Sequence, residues 1–250
     1  MIPKKIHYCW FGNNPKSKLI LECIASWEKY CPDFEITEWN ENNTKHYRNK
    51  FFNDALRKNK FAFASDCIRA KVLMEFGGIY LDTDMLLLKE VDATILRNRF
   101  FSAFEVENRV SFGFFGGVKN HRFFKKMVDF YDTTEFNQFS PPVITHTFQP
   151  LINKGAIRED EIIYDPELFY PLPYENREED YRPFVTDESY AVHLWDHSWK
   201  TKSEKELSKL LNGLKVVLID FLFYNYSKQY FIRYFRGFSR QLYHMLKQNI

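Results

Sequence analysis

The segment Ser65-Asp-Cys-Ile-Arg-Ala-Lys-Val-Leu-Met-Glu-Phe-Gly-Gly-Ile-Tyr-Leu-Asp-Thr-Asp84 changes from helical to extended periodicity within one short stretch. Ile68, Val72, Leu73 and Phe76 recur at three and four, the spacing of a buried helix face, and Ser65 stands where an N-cap would start a helix at Asp66. Gly77 and Gly78 end that helix, because glycine enters the backbone conformations that close a helix without a Cβ clash. Ile79, Tyr80 and Leu81 then read as a strand with Asp82, Thr83 and Asp84 at its C-terminal end and the apolar run Met85 to Leu88 beyond. Ligands of open α/β sheets bind at the carboxyl ends of strands. A helix feeding a strand that stops on two carboxylates therefore predicts an α/β fold with its site at those residues.

Upstream, Ile6 to Phe11 reads as a first strand that runs into Gly12 and two asparagines. Leu19 or Ile20, Cys23, Ile24, Trp27 and Cys31 recur at helical spacing before Pro32, and Glu35 to Trp39 is a second short strand. This β-α-β opening has the form of half a nucleotide-binding sheet, although no GxGxxG accompanies it. Downstream, five of the nine glycines lie between Gly77 and Gly117, which concentrates close backbone approach near the aspartates. Seven of the ten prolines lie from Pro141 to Pro183, which predicts a long irregular region over one side of the sheet. Tyr190 to Trp195 returns as a strand, and after Thr201 the chain reads helical to its end. The division this suggests is an α/β catalytic domain over 1–200 and a helical extension over 201–250.

With 250 residues, 45% hydrophobic and 27% charged, the chain has the composition of a soluble globular protein rather than of a disordered or fibrous one. Its net charge of +2 is too near balance to imply nucleic-acid binding by the whole chain. Aromatics are in excess at 18%, with 26 phenylalanines, and serve both a dense core and the stacking of sugars or bases. Cys9, Cys23, Cys31 and Cys67 form no CxxC pair and no zinc spacing, which fits a reducing compartment. The N-terminus lacks an uninterrupted apolar h-region, and no uncharged run approaches the roughly 20 residues of a spanning helix. A cytoplasmic protein that meets a membrane only from one side is the expectation.

An Asp-x-Asp at a strand end brings two carboxylates to one hard cation, and such a cation, holding pyrophosphate oxygens in its remaining positions, neutralises a departing diphosphate. A turn with two solvated aspartates is the plain alternative. Asp66 and Arg69, at i and i+3, add a carboxylate and a guanidinium on the helix that feeds this strand. Ala62, Ala64, Ile68 and Ala70 surround that pair with small or apolar residues, which favours a cleft over a solvated face.

Phe-Ala-Ser-Asp-Cys-Ile-Arg followed by Leu-x-x-Phe-Gly-Gly-Ile-Tyr-Leu-Asp-Thr-Asp, within residues 61–88, resembles the central signature of glycosyltransferase family 32, whose members also look like the glucosylating toxin catalytic domains. The opening Ile-Pro-Lys-Lys-Ile-His-Tyr-Cys-Trp-Phe-Gly is similar to the family's first strand. Ala-Val-His-Leu-Trp-Asp-His-Ser-Trp at 191–199 is similar to its C-terminal His-x-Trp-x-x-Ser-Trp element. The resemblance implies a single GT-A domain with a mostly parallel sheet flanked by helices, a nucleotide-sugar donor, a divalent metal and retention of anomeric configuration. By position it implies that Trp10 stacks on the donor base, with the backbone around His7 and Tyr8 reading the base edge. It gives Asp66 and Arg69 to the donor sugar, Tyr80 and Asp82 to the ribose side and metal, and Asp84 to the metal directly. His193 completes the metal shell, its neutral imidazole suiting Mn²⁺ better than Mg²⁺, and Ser198 with Trp199 contacts the diphosphate. Asp66, Arg69, Asp82 and Asp84 are thereby the catalytic set. His197 stands where the family often has a small residue. Where the family often shows Thr-Gly-Pro on the acceptor side, this chain has Thr145-His-Thr-Phe-Gln149, so the acceptor and the residue beneath the anomeric carbon are not read from the pattern.

From Phe221 to Ile250 there are five Lys or Arg residues, ten aromatics and no acid. Tyr230, Phe231, Tyr234, Phe235, Phe238 and Leu242 recur at three and four among Arg233, Arg236 and Arg240, the pattern of an interfacial helix on anionic lipid. Core packing accounts equally for the aromatics but not for the uniform charge. The sequence reading is a retaining hexosyltransferase, galactose first, that moves the sugar from a UDP-sugar with Mn²⁺ or Mg²⁺ to a saccharide acceptor, lipid-linked in bacterial surface polysaccharide synthesis. It includes peripheral contact with the inner face of the plasma membrane and no nucleic-acid partner. A metal-dependent phosphohydrolase with Asp82 as nucleophile, or a non-catalytic sugar- or membrane-binding protein, is the alternative.

Overall fold

Strand β1 (Lys5–Cys9) buries Ile6, His7, Tyr8 and Cys9 in succession, because neighbours flank it on both edges and layers cover both faces. The computed structural model of the chain describes residues 1–106, 109–136, 155–196, 211, 214–215, 217–219, 221–222 and 228–248. From β1 the chain enters α1 (Lys18–Tyr30), where the Ser17 hydroxyl caps the helix by accepting from Ile20 N–H, and returns as β2 (Glu35–Trp39) parallel to β1. Helix α2 (Lys50–Arg57), capped by Asn49, leads to α3 (Phe61–Phe76), β3 (Gly78–Leu81) and β4 (Met85–Leu87). A short α4 (Ala93–Leu96) precedes β5 (Phe100–Val106), β6 (Arg109–Gly117) and α5 (Arg122–Thr133). β7 (Glu161–Tyr164), α6 (Pro166–Phe169), β8 (Ala191–His193) and α7 (Lys228–Gln248) complete the described elements.

Six strands form one sheet in the order β2-β1-β3-β6-β5-β7, and β4 pairs with β8 in a second. Only β6 is antiparallel to its neighbours, so β1, β2, β3, β5 and β7 present their carboxyl ends along one edge. Tyr80, Phe100, Phe112 and Phe115 face a layer built by α2, α3 and α5, while Ile79, Leu81, Phe101 and Phe114 face α1, α4, α6 and β4. This alternation of side chains onto two covered faces makes the mostly parallel, helix-flanked α/β architecture that the resemblance implies.

Three sequence expectations are corrected. α3 begins at Phe61 rather than Asp66, with Lys60 at the cap and Ser65 inside the helix. Phe61 and Phe63 pack on the core and the two alanines favour helix, so packing rather than a side-chain cap sets this start. The strand expected over Tyr190 to Trp195 shortens to Ala191–His193 and ends before Trp195, whose φ is +56°. The proline-rich span contains, in its described part, the edge strand β7, which pairs parallel with β5.

Candidate active site

Asp82 closes β3 by donating its N–H to Gly113 O at 2.7 Å, and its own carbonyl accepts Met85 N–H at 3.0 Å. That tight turn brings Asp84 round beside Asp82. The strand beyond is then fixed from two sides. On one, β8 pairs with β4 in the register Met85↔His193; on the other, α1 supplies the Trp27 indole N–H to Met85 O at 2.7 Å and the Ser26 hydroxyl to Leu87 N–H at 2.9 Å. Leu194 N–H reaches Asp84 O at 2.9 Å, and His193 Nε2 lies 3.0 Å from Asp84 Oδ1. A residue more than a hundred positions away is thereby seated against the Asp-x-Asp by strand pairing.

Arg69 lies on the opposite side of Asp82, 6% exposed. Its Nη2 is 2.9 Å from Asp66 Oδ1 and 3.1 Å from Asp82 Oδ1, its Nη1 donates to Phe112 O at 3.0 Å, and its guanidinium stands 4.4 Å from the Tyr80 ring centroid. Burial pushes the Asp66 carboxyl up to about 6 although Arg69 opposes the rise, and burial also raises Asp82 against the pull of Arg69. At Asp84 burial acts in the same sense, but the His193 ring outweighs it and holds the carboxyl low. Burial alone would lower His193; the Asp84 carboxylate raises it. Asp84 and His193 thus each favour the charged form of the other.

The ligand atoms of Asp82, Asp84 and His193 all lie within 4.8 Å of one another. Two carboxylates and an imidazole form a donor set suited to Mn²⁺, and a cation would take the place of the imidazole proton. His193 Nδ1 and Arg69 Nε are buried without a hydrogen-bond partner among the described residues, so the site carries polar groups that those residues do not satisfy.

Of the other sequence-predicted residues, Trp10 is half-buried just past β1, its indole N–H bonded to Asn14 O at 2.7 Å and the Lys16 ammonium 5.5 Å over its ring. His7 is not brought to the cluster. Its Nδ1 accepts the Trp39 indole at 3.2 Å, its Nε2 meets Gly77 O at 3.0 Å, and burial pushes it down to about 4. The Tyr8 hydroxyl donates to Glu38 Oε2 at 2.8 Å. Ser198, Trp199, His197 and the acceptor-side Thr145 to Gln149 lie outside the described residues. Sequence reasoning missed Gly113, where a Cβ would stand 3.1 Å from Asp82 Oδ2 and 3.3 Å from the Tyr170 hydroxyl. It also missed Tyr170, whose hydroxyl accepts Phe114 N–H at 2.8 Å. Trp195, its ring centroid 4.0 Å from that of His193, was likewise unassigned. The glycine cluster was a signal for Gly113; nothing in the pattern pointed to Tyr170.

Residues 1–141 match the family described as "Capsular polysaccharide synthesis protein". The chain belongs to this family. Residues 119–214 of this capsular polysaccharide synthesis family member also match the "Alpha 1,4-glycosyltransferase conserved region", and both descriptions are of glycosyltransferase family 32 type, in agreement with the sequence resemblance. The human alpha-1,4-N-acetylglucosaminyltransferase is 24% identical over 160 residues, covering 58% of this chain and 46% of that protein. The rat lactosylceramide 4-alpha-galactosyltransferase is 27% identical over 150 residues, covering 53% of this chain and 40% of that protein. The match thus spans less than half of either relative. Among solved structures, the PaToxG glycosyltransferase aligns with a TM-score of 0.48 and 20% identity over 63% of this chain and 71% of its own.

Proposed function

We propose that this chain is a retaining, divalent-metal-dependent glycosyltransferase that moves a hexose, galactose first, from a UDP-sugar to a saccharide acceptor. The observation that carries the reading is the convergence of Asp82, Asp84 and His193 beside a buried guanidinium that bridges Asp66 and Asp82. Mn²⁺ or Mg²⁺ bound by the three ligands would supply Lewis-acid neutralisation of the leaving diphosphate. Arg69 fixes the Asp82 carboxylate through Oδ1 and adds a positive charge next to the position where phosphate charge develops. Asp66, whose buried carboxyl is raised to about 6 and is mostly ionised at neutral pH, is suited to accept a hydrogen bond from a sugar hydroxyl. Trp10 serves as the stacking ring for the base. In the transfer, an acceptor hydroxyl oxygen forms the new bond to the anomeric carbon as the bond to the diphosphate breaks. On the same face, the departing phosphate oxygen takes the hydroxyl proton.

The activities named for the relatives support a hexosyl donor and an alpha product, which from an α-linked UDP-hexose means retention. We place the acceptor on a lipid at an anionic membrane face, a reading that rests on the basic, aromatic residues 221–250. Asp84→Asn tests the metal centre, because it removes a ligand charge and keeps the shape. Titration calorimetry of UDP with Mn²⁺ should show affinity at least about tenfold weaker in the variant. Equal metal-dependent UDP binding in both proteins would refute the assignment.

A further inference from the structure

The edge of carboxyl ends runs from β3, with the metal-ligand cluster, through β1, which leads into Trp10, to β2 on the far side. Two glutamates stand at the end of β2. Glu38 is fully engaged: Oε2 accepts the Tyr8 hydroxyl at 2.8 Å and faces the Lys16 ammonium at 2.7 Å, while Oε1 accepts the Asn40 amide at 3.0 Å. Glu41 is not. Its Oε1 accepts Gly12 N–H at 2.7 Å, but its Oε2 is buried with no hydrogen-bond partner among the described residues. A carboxylate oxygen taken out of water with its lone pairs unused is costly, and the cost is relieved by any donor hydrogen that reaches it.

Glu41 is held in place from several directions. Arg48 donates to its backbone carbonyl at 2.8 Å. Gly12, which bonds its other carboxylate oxygen, holds φ +93°, and a Cβ there would stand 2.6 Å from the Phe61 ring of α3. The empty acceptor therefore lies at the loop that directly follows Trp10. A nucleoside diphosphate laid along the edge, diphosphate at β3 and base on Trp10, directs the far edge of its base toward β2. The main-chain groups that the family resemblance nominates for that edge lie in the sheet: His7 is in register with Thr37 on one side and Tyr80 on the other, and Tyr8 is in register with Glu38.

Building on the reading that the chain binds a UDP-sugar, we propose that Glu41 is the specificity-determining residue for the donor base, its Oε2 accepting the N3–H of uracil. An acceptor-only carboxylate selects a base that offers a hydrogen there. Cytosine presents a lone pair at N3 and is disfavoured, since the site then faces an acceptor with an acceptor. A ribose hydroxyl is the other donor that a nucleotide carries, and the experiment separates it from the base.

Calorimetric titration of the full chain with Mn²⁺ is carried out for UDP, N3-methyl-UDP, CDP and 2′-deoxy-UDP on the wild type, Glu41→Gln and Glu41→Ala. The wild type is expected to bind UDP about tenfold or more tighter than N3-methyl-UDP and CDP, and 2′-deoxy-UDP like UDP. Both variants are expected to lose most of that preference, Glu41→Gln while keeping an oxygen for the Gly12 N–H and hence the wild-type melting temperature. Wild type that binds UDP and N3-methyl-UDP alike overturns the proposal without any variant. So does a preference that survives in the variants, or one in which 2′-deoxy-UDP is the nucleotide Glu41 discriminates. Those outcomes leave the UDP-sugar reading standing; a wild type that binds none of the four overturns both.

Discussion

At His7 a titratable ring sits at 2% exposure between Gly77 O and the Trp39 indole, and burial pushes it down to about 4. The unfolded chain binds a proton at this residue near 6.5 while the folded chain does not, so its contribution to stability is complete above pH 6.5 and is lost as pH falls toward 4. That contribution is about 3 kcal/mol, since each tenfold loss of proton affinity on folding corresponds to about 1.4 kcal/mol. His121 is lowered to about 4 as well, chiefly by burial, and adds to the same slope. Urea denaturation should therefore show stability falling between pH 6.5 and 4, with a shallower slope in His7→Gln; an unchanged slope would mean that His7 ionises freely in the folded state. This residue also marks the limit of what sequence tells about a site. Asp66, Arg69, Asp82, Asp84 and His193 were legible because each occupies a position of an ordered pattern, and the structure brings the five together. His7 lies in the same pattern, yet its side chain serves the core. Glu41 and Tyr170 could not be read, since an unpaired oxygen and a hydroxyl bonded to a distant backbone N–H leave no trace in local spacing.

Strands and helices were legible where a turn residue, a proline or an unbroken helical spacing marks their limits. β1, α1 and β2 followed from Gly12, the helical spacing before Pro32 and the short apolar run at Glu35 to Trp39. The β5–β6 hairpin did not, because its phenylalanines are buried on both faces and the two-residue alternation that identifies a strand disappears. Its glycines hold the elements together at close range. At Gly116 a Cβ would stand 2.6 Å from Gly78 O and 2.8 Å from the Phe101 ring, so β3 and β6 pair only because position 116 has none. Gly116→Ala should destabilise the fold by about 2 kcal/mol or more, since backbone rather than a flexible side chain would have to move. Gly237 in α7 provides the contrast: among the described residues nothing lies within 4 Å of a Cβ there, and Gly237→Ala should raise local helix stability by roughly 0.5–1 kcal/mol. Denaturation midpoints that fail to separate the two variants would show that the β3–β6 contact yields more easily than its geometry indicates.

Across the whole molecule, a near-neutral chain carries its basic excess at one end, five Lys or Arg and no acid from Phe221 to Ile250. α7 divides the aromatics that the sequence grouped together. Phe231, Tyr234, Phe238 and Leu242 are half-buried, while Ile232, Phe235 and Tyr243 are exposed on the same side as Arg236 and Arg240. Among the described residues no helix is long and apolar enough to cross a membrane. Bound to anionic lipid, each basic residue contributes roughly 1 kcal/mol, and the exposed Ile232 and Phe235 add insertion. Replacing Arg233, Arg236 and Arg240 together by Gln removes about 3 kcal/mol, on the order of a hundredfold in vesicle affinity. None of the three belongs to the Asp-x-Asp cluster, so UDP binding with Mn²⁺ should be unchanged. High salt should release the electrostatic part, because the Debye length shortens to about 3 Å at 1 M, and neutral vesicles should bind weakly at any salt. Co-sedimentation decides the matter: if the intact chain ignores anionic vesicles, or if the triple variant binds them as well as the wild type, the tail is a packed terminal helix and the acceptor reaches the site from solution.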